Sequence, residues 1–210
     1  GQAALEEKIA PVIVGRVNII KTRIAEIDLP PAVQLPAVLE HKPVVSTVAV
    51  EPEKKTEPTG KAIARSIELT KEASEQVNKK DYLKALSCVL LALKFNPENE
   101  TAKQDLNPIQ SLFLRWFYSD NIRITSDKAY ARRQIALDVL SIRPDFQPAL
   151  IIAAHDSVLL GEMQNALAYG ASALEQAVEV KEKQYALYML GFIYQKQKQN
   201  QMALNHLLQI

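Results

Sequence analysis

This sequence of 210 residues has one cysteine, few aromatic residues and few glycines, and neither charge is in clear excess. The single cysteine, Cys88, excludes a disulfide within the chain, and its apolar neighbours indicate a buried thiol. The six glycines form no phosphate-binding loop, and no serine lies in a nucleophile elbow. We therefore expect that the protein is not an enzyme and that it has no catalytic residue and no bound cofactor.

The charges are nearly balanced, with 25 Lys and Arg against 24 Asp and Glu. This balance argues against a surface that binds nucleic acid through net charge, and we expect no nucleic-acid partner. Arg132 and Arg133 are expected to lie on a solvated helix face. The histidines stand far apart, which argues against a metal site. His155 and Asp156 should point about 100° apart on a helix and so form no orienting pair.

No apolar run reaches the about 18 residues of a membrane-spanning helix, so we expect no direct membrane insertion. The N-terminus also lacks the layout of a signal peptide. A cysteine-poor chain suits the bacterial periplasm as well as the cytosol, which leaves the compartment open.

The composition divides the chain into three parts. In residues 1–29, Val and Ile recur at steps of three and four, which predicts an amphipathic helix, with a pair of strands around Gly15 as the alternative. Residues 30–60 contain six of the 11 prolines and should form an extended proline-rich spacer. From residue 61 to 210, apolar residues recur at helical spacing, which predicts an all-α domain.

Small and apolar landmarks recur within the helical part at similar offsets. The landmarks of the first unit are Leu69, Ala73, Asp81, Tyr82, Ala85, Val89, Ala92, Asn96 and Pro97. Those of the third are Leu150, Ala153, Ala154, Gly161, Ala166 and Ala173, and those of the fourth are Tyr185, Leu187, Leu190, Gly191, Tyr194 and Ala203. A degenerate second unit keeps Ala136, Val139 and Pro144 but has Arg132 where a small residue is expected.

These landmarks resemble the signature of the tetratricopeptide repeat family over residues 63 to 210. The resemblance implies about 3.5 helix–turn–helix repeats in a solenoid, with helices of the third unit at 147–160 and 163–177. Pro97 and Pro144 are 47 residues apart, against the family period of about 34, so the second unit has roughly 13 extra residues between Asn99 and Ser126.

In this family the first helix of each repeat lines a concave face that binds peptides. Carrying the offsets over assigns to that face Thr70, Ser74, Asn78, Ile151, His155, Val158, Tyr188, Phe192 and Gln195. The set is apolar and weakly polar, with only Asn78 matching the residues that grip a peptide carboxylate. The expected partner is therefore an extended or helical peptide with apolar side chains.

A second candidate surface is the aromatic cluster of Phe113, Trp116 and Phe117. Its apolar residues point nearly all around a helix, so the cluster either lies in the core or exposes part of itself to a partner. Leu204, Leu207, Leu208 and Ile210 are expected to leave an apolar C-terminal edge, which continued chain or another subunit would cover. Oligomers through that edge or through residues 12–29 are a further expectation.

Three functions fit this organisation. The first is an interaction scaffold or assembly factor, whose spacer resembles the layout of accessory proteins in bacterial pilus and secretion machines and favours the cell envelope. The second is a soluble chaperone or adaptor that holds a client segment. The third is the regulatory part of a larger enzyme.

Overall fold

The computed structural model describes residues 58–119 and 126–210, and every regular element in these ranges is helical. The eight α-helices are α1 Gly60–Asn78, α2 Tyr82–Phe95, α3 Glu100–Tyr118, α4 Ala129–Leu140, α5 Gln147–Leu159, α6 Met163–Glu175, α7 Val180–Lys196 and α8 Asn200–Leu207. A short 3-10 turn, Ser126–Lys128, precedes α4. The all-α prediction is therefore confirmed for these ranges. The predicted N-terminal helix and nearly all of the spacer lie outside the described residues.

The described residues form two compact units. Unit A contains residues 58–119 and 134–146, and unit B contains residues 126–133 and 147–210. Helix α4 therefore contributes residues to both units. None of the described helices combines the length and the apolar content that crossing a membrane requires.

Three tight turns, α1–α2, α5–α6 and α7–α8, share one hydrogen-bond pattern. Each contains a residue with positive φ: Lys80 (61°), Gly161 (78°) or Lys198 (60°). In each, the next backbone N–H donates to the carbonyl five residues earlier at 2.8–2.9 Å, which satisfies a carbonyl at the end of the first helix. Glycine adopts this left-handed backbone at little cost, and the two lysines occupy the same position against their preference.

The connections α2–α3 and α4–α5 also match each other. Each contains a four-residue turn with proline at its second position, Pro97 in one and Pro144 in the other. In both turns the backbone N–H of the fourth residue donates to the carbonyl of the first residue at 3.1 Å. Proline suits this position because its ring sets the φ angle that the turn needs. By contrast, α3 ends at Tyr118 and α4 begins at Ala129, so the connection between these two helices is longer than the others.

Unit A is built on α1, α2 and α3, each of which packs against both of the others. Its core includes a buried polar group, the neutral cluster, consisting of Ser66, Thr70 and Asn99. The Asn99 amide donates to Ser66 Oγ at 2.8 Å and to Thr70 Oγ1 at 3.0 Å. The Asn99 Oδ1 atom caps α3 by accepting from the Ala102 N–H at 3.1 Å. Because Thr70 is buried here, it is not part of an open face, contrary to expectation.

Hydroxyl groups complete the neutral cluster. Ser66 Oγ donates to the Ala92 carbonyl at 2.8 Å, and Thr70 Oγ1 donates to the Ser66 carbonyl at 2.9 Å. The cluster therefore joins α1, the end of α2 and the start of α3 through hydrogen bonds alone. On α2, burial raises the pKa of the Cys88 thiol to about 11, in keeping with the buried cysteine that the sequence predicts.

In unit B, helices α5 to α8 pack in chain order, and α5 also packs on α7. A side chain at Gly191 would place its Cβ 2.7 Å from Leu207 Cγ and 3.4 Å from the Ala203 carbonyl oxygen. Only glycine therefore lets α7 and α8 approach this closely. The predicted apolar C-terminal edge is covered only in part: Leu207 is fully buried, Leu204 and Ile210 are half-buried against it, and Leu208 is exposed.

Candidate functional site

The surface that joins α5 to α7 carries two of the predicted binding residues in direct contact. The ring of His155, on α5, stacks parallel to the ring of Phe192, on α7, with centroids 6.1 Å apart and planes 8° apart. The Lys196 ammonium lies 5.3 Å from the centre of the Phe192 ring, one helical turn further along α7. Together with half-buried Gln195, these residues form the stack surface: His155, Phe192, Gln195 and Lys196.

An ion pair between Arg132 and Asp156 contacts the stack surface at His155. The side chain of Arg132, on α4, is only 11% exposed and that of Asp156 is fully buried. Arg132 Nε donates to Asp156 Oδ2 at 2.6 Å, and Arg132 Nη2 donates to the other carboxylate oxygen. This two-point contact suits a buried pair, because the planar guanidinium matches the geometry of the carboxylate.

Two sequence expectations are wrong at this point. Arg132 is not solvated, because Asp156 draws its guanidinium into the helix interface. His155 and Asp156 do interact: His155 Nδ1 lies 3.4 Å from Asp156 Oδ1 and 3.3 Å from Arg132 Nη2. Both side chains turn toward the same guanidinium, which overrides their separation around the helix. A guanidinium only donates and a carboxylate only accepts, so Nδ1 can either accept from Arg132 or donate to Asp156.

Arg133 is buried as well, against the same expectation of a solvated face. It pairs with the carboxylate of Glu162, at the start of α6, and its Nη1 lies 3.4 Å from Ser157 Oγ. The hydrogen bond from Arg133, followed by one from Asn165 at 2.7 Å, lowers the pKa of Glu162. The same contact raises the pKa of Arg133. Arg132, Arg133, Asp156 and Glu162 are called the arginine cluster below.

The remaining predicted residues of the concave face are separated from the stack surface. Ile151 and Val158 are 5% and 7% exposed, so this conformation leaves them almost no area for a partner. Tyr188 is half-buried against the cluster around Ala203 and Leu207, on the α8 side of α7.

Asn78 belongs to unit A and is exposed at the end of α1. Ser74, also on α1, is exposed, and its Oγ donates to the Thr70 carbonyl at 3.4 Å. The structure therefore brings together only His155, Phe192 and Gln195 from the predicted list, and it adds Lys196.

The second candidate surface divides into core and surface residues. Phe113 and Phe117 are buried, with ring centroids 5.9 Å apart, and Phe113 also contacts Phe146 at 5.7 Å. Trp116 stays half-buried, with its ring centroid 5.9 Å from that of Phe113. Phe113 and Phe117 thus belong to the core of unit A, whereas Trp116 reaches the surface.

Sequence reasoning missed Arg132 as the support of the site, although one signal pointed to it. Arg132 stands where the repeat pattern expects a small residue, and a long cation at a helix crossing requires a buried acid nearby. Within residues 58–119 and 126–210, no group of three or more His, Cys, Asp or Glu side chains could hold a metal ion. Comparison of the chain with protein-family models, curated proteins and solved structures finds no match.

Proposed function

We propose that the helix pairs of this chain are tetratricopeptide-type repeats and that the chain acts as a protein-interaction scaffold. The three matching tight turns support this, because a repeat unit should reproduce its turn wherever it recurs. Three small residues support it too: Ala85, Ala166 and Ala203 each occupy the fourth position of the helix that follows such a turn. All three are fully buried, as close helix crossing requires.

The proposed binding site is the stack surface of unit B, and the observation that carries it is the parallel stack of His155 on Phe192. Two rings from different helices, locked by contact and by the ion pair beneath, form a rigid platform that loses little entropy when a partner binds. Gln195 supplies amide groups for a peptide backbone, and Lys196 supplies a cation at the rim. This combination suits a peptide segment with apolar side chains.

In this proposal the chain contributes binding rather than catalysis. An accessory role in a bacterial cell-envelope machine rests on the layout of residues 1–60, almost all of which lie outside the described residues.

A photo-crosslinking amino acid at position 195 tests the site in cells. We expect it to capture a defined protein that the same group at position 71, on the exposed side of α1, does not capture. The Phe192→Ala substitution should then abolish capture while the helical circular dichroism is kept. Phe192 is preferable to Tyr188 for this purpose, because Tyr188 also packs against α8.

Phe95→Ala is the matched control, since Phe95 is a 42% exposed phenylalanine of unit A. Capture should persist in this variant. If Phe192→Ala and Phe95→Ala chains captured the same protein equally well, the stack surface would not be the binding site.

A further inference from the structure

A cleft of about 350 Å³ lies in unit A between the end of α3 and the α1–α2 turn. Its lining residues are Lys80, Tyr82, Leu112, Arg115, Trp116 and Ser119. This volume falls at the lower end of the about 300–1,000 Å³ typical of ligand pockets, enough for one or two side chains of a partner. The cleft belongs to the unit that lacks the stack surface, so its occupant is independent of the function proposed above.

The cleft exists because α3 has two apolar faces. Ile109, Phe113 and Phe117 recur every four residues and are buried in the core. Leu112 and Trp116 lie on a neighbouring face and are only half-buried. Because only the first of these faces packs in the core, Leu112 and Trp116 remain available to line the cleft.

The aromatic wall of the cleft is braced. Trp116 contacts buried Phe113, with ring centroids 5.9 Å apart, so its position is fixed from below. Tyr82 lines the same cleft from the start of α2 and is half-buried. Half-buried aromatic rings on a rigid support are the side chains that contribute most to binding at protein interfaces.

Two cations line the same cleft. Lys80 and Arg115 are both exposed, and within the part of the chain that the structure describes neither forms an ion pair. The adjacent Asp81 carboxylate accepts from the Lys84 backbone N–H at 3.2 Å, where it caps α2. The cleft thus presents positive charge beside aromatic surface, which is complementary to carboxylates next to an apolar side chain.

We propose that this cleft binds an acidic peptide segment that carries an aromatic residue. The ring enters between Trp116 and Tyr82, and the flanking carboxylates pair with Lys80 and Arg115. A single-stranded nucleic acid also combines bases with negative charge, but such sites use a cationic groove that follows several phosphates. This cleft has two cations in a chain of net charge +1, which favours the peptide.

Fluorescein-labelled peptides test the proposal by anisotropy on the full chain. The probe is Glu-Asp-Phe-Asp-Glu, compared with Gln-Asn-Phe-Asn-Gln and with Glu-Asp-Ala-Asp-Glu. We expect saturable binding of the first, and binding at least about tenfold weaker for each of the others, since each lacks one half of the recognition. Unlabelled probe should also change the emission of Trp116, the only tryptophan of the chain.

Arg115→Glu is the decisive variant, because Arg115 is exposed and its replacement leaves the core intact. We expect affinity for the acidic probe to fall about tenfold or more. Lys71→Glu, the same charge change on an exposed site of α1, should leave affinity unchanged. The proposal fails if the acidic probe does not bind at millimolar concentration, or if Arg115→Glu binds it normally. It also fails if an oligothymidylate displaces the probe and binds more tightly, which would mark a nucleic-acid site.

Discussion

The two units solve the problem of a buried polar group in different ways. In unit A, the neutral cluster of Ser66, Thr70 and Asn99 satisfies its polar atoms with short hydrogen bonds to one another and to the backbone. In unit B, the arginine cluster brings charges to a helix interface and depends on pairing with carboxylates. Losing one neutral partner leaves a hydrogen bond unmade, whereas losing one charged partner leaves a buried ion, which is far more costly.

The largest effect should come from Asp156→Ala. Removing the carboxylate leaves the Arg132 guanidinium 11% exposed and without its counter-charge, and we expect a loss of about 3–5 kcal/mol in the free energy of unfolding. Urea denaturation followed by circular dichroism measures this loss. Asp138→Ala, at an exposed position of α4, should change the free energy by less than about 0.5 kcal/mol.

A double replacement separates the charge from the packing. Arg132→Met combined with Asp156→Leu removes both ions and keeps apolar volume, so it should recover most of the stability that Asp156→Ala loses. A double variant as unstable as Asp156→Ala would show that the buried pair is not the cause of the loss.

Asn99→Ala should have an intermediate effect, about 2 kcal/mol, because it removes the cap of α3 and two hydrogen bonds of the neutral cluster. The same urea titration measures it, with exposed Asn78→Ala as the control. Equal stability of Asn99→Ala and Asn78→Ala would contradict a stabilising role for the cluster.

The smallest effect should be a dependence of stability on pH, which should distinguish the arginine cluster from the neutral cluster. Arg133 lowers the pKa of Glu162 below its ordinary value of 4.5, so the folded state binds its proton less readily than the unfolded state. The stability from this contact is therefore present above pH 4.5 and is lost as pH falls through the lower folded value.

The stability difference between wild type and Glu162→Gln should accordingly shrink below pH 4.5. The difference between wild type and Asn99→Ala should stay constant over the same range, because the neutral cluster contains no titratable group. Urea titrations at several pH values measure both stability differences. If both changed with pH in the same way, the pH dependence could not be assigned to the arginine cluster.

Particular residues show how far the sequence could be read. The predicted helices at 147–160 and 163–177 match Gln147–Leu159 and Met163–Glu175 within two residues, because periodicity and turn residues are local signals. The burial of Ala85, Ala166 and Ala203 followed from the same pattern. Arg132 and Arg133 were misplaced because their partners lie 24 and 29 residues further along the chain.

The residues of the proposed stack surface could be predicted only in part, for the same reason. Offsets along the expected repeat pointed to His155, Phe192 and Gln195. Lys196 could be added only from the structure, which shows that its ammonium lies beside the ring of Phe192. Ile151 shares a helix with His155 but is buried, and offsets along a helix could not tell which of the two a neighbouring helix would cover.

The sequence by itself determined the helices, their turns and the small residues at their crossings, since these depend on backbone preferences and spacing within a few residues. Only the tertiary structure decided which polar groups are buried together. It also decided which face of α3 enters the core and which aromatic rings stack. Those outcomes depend on contacts between distant residues, where a buried charge or ring takes whichever partner the packing of the helices brings within reach.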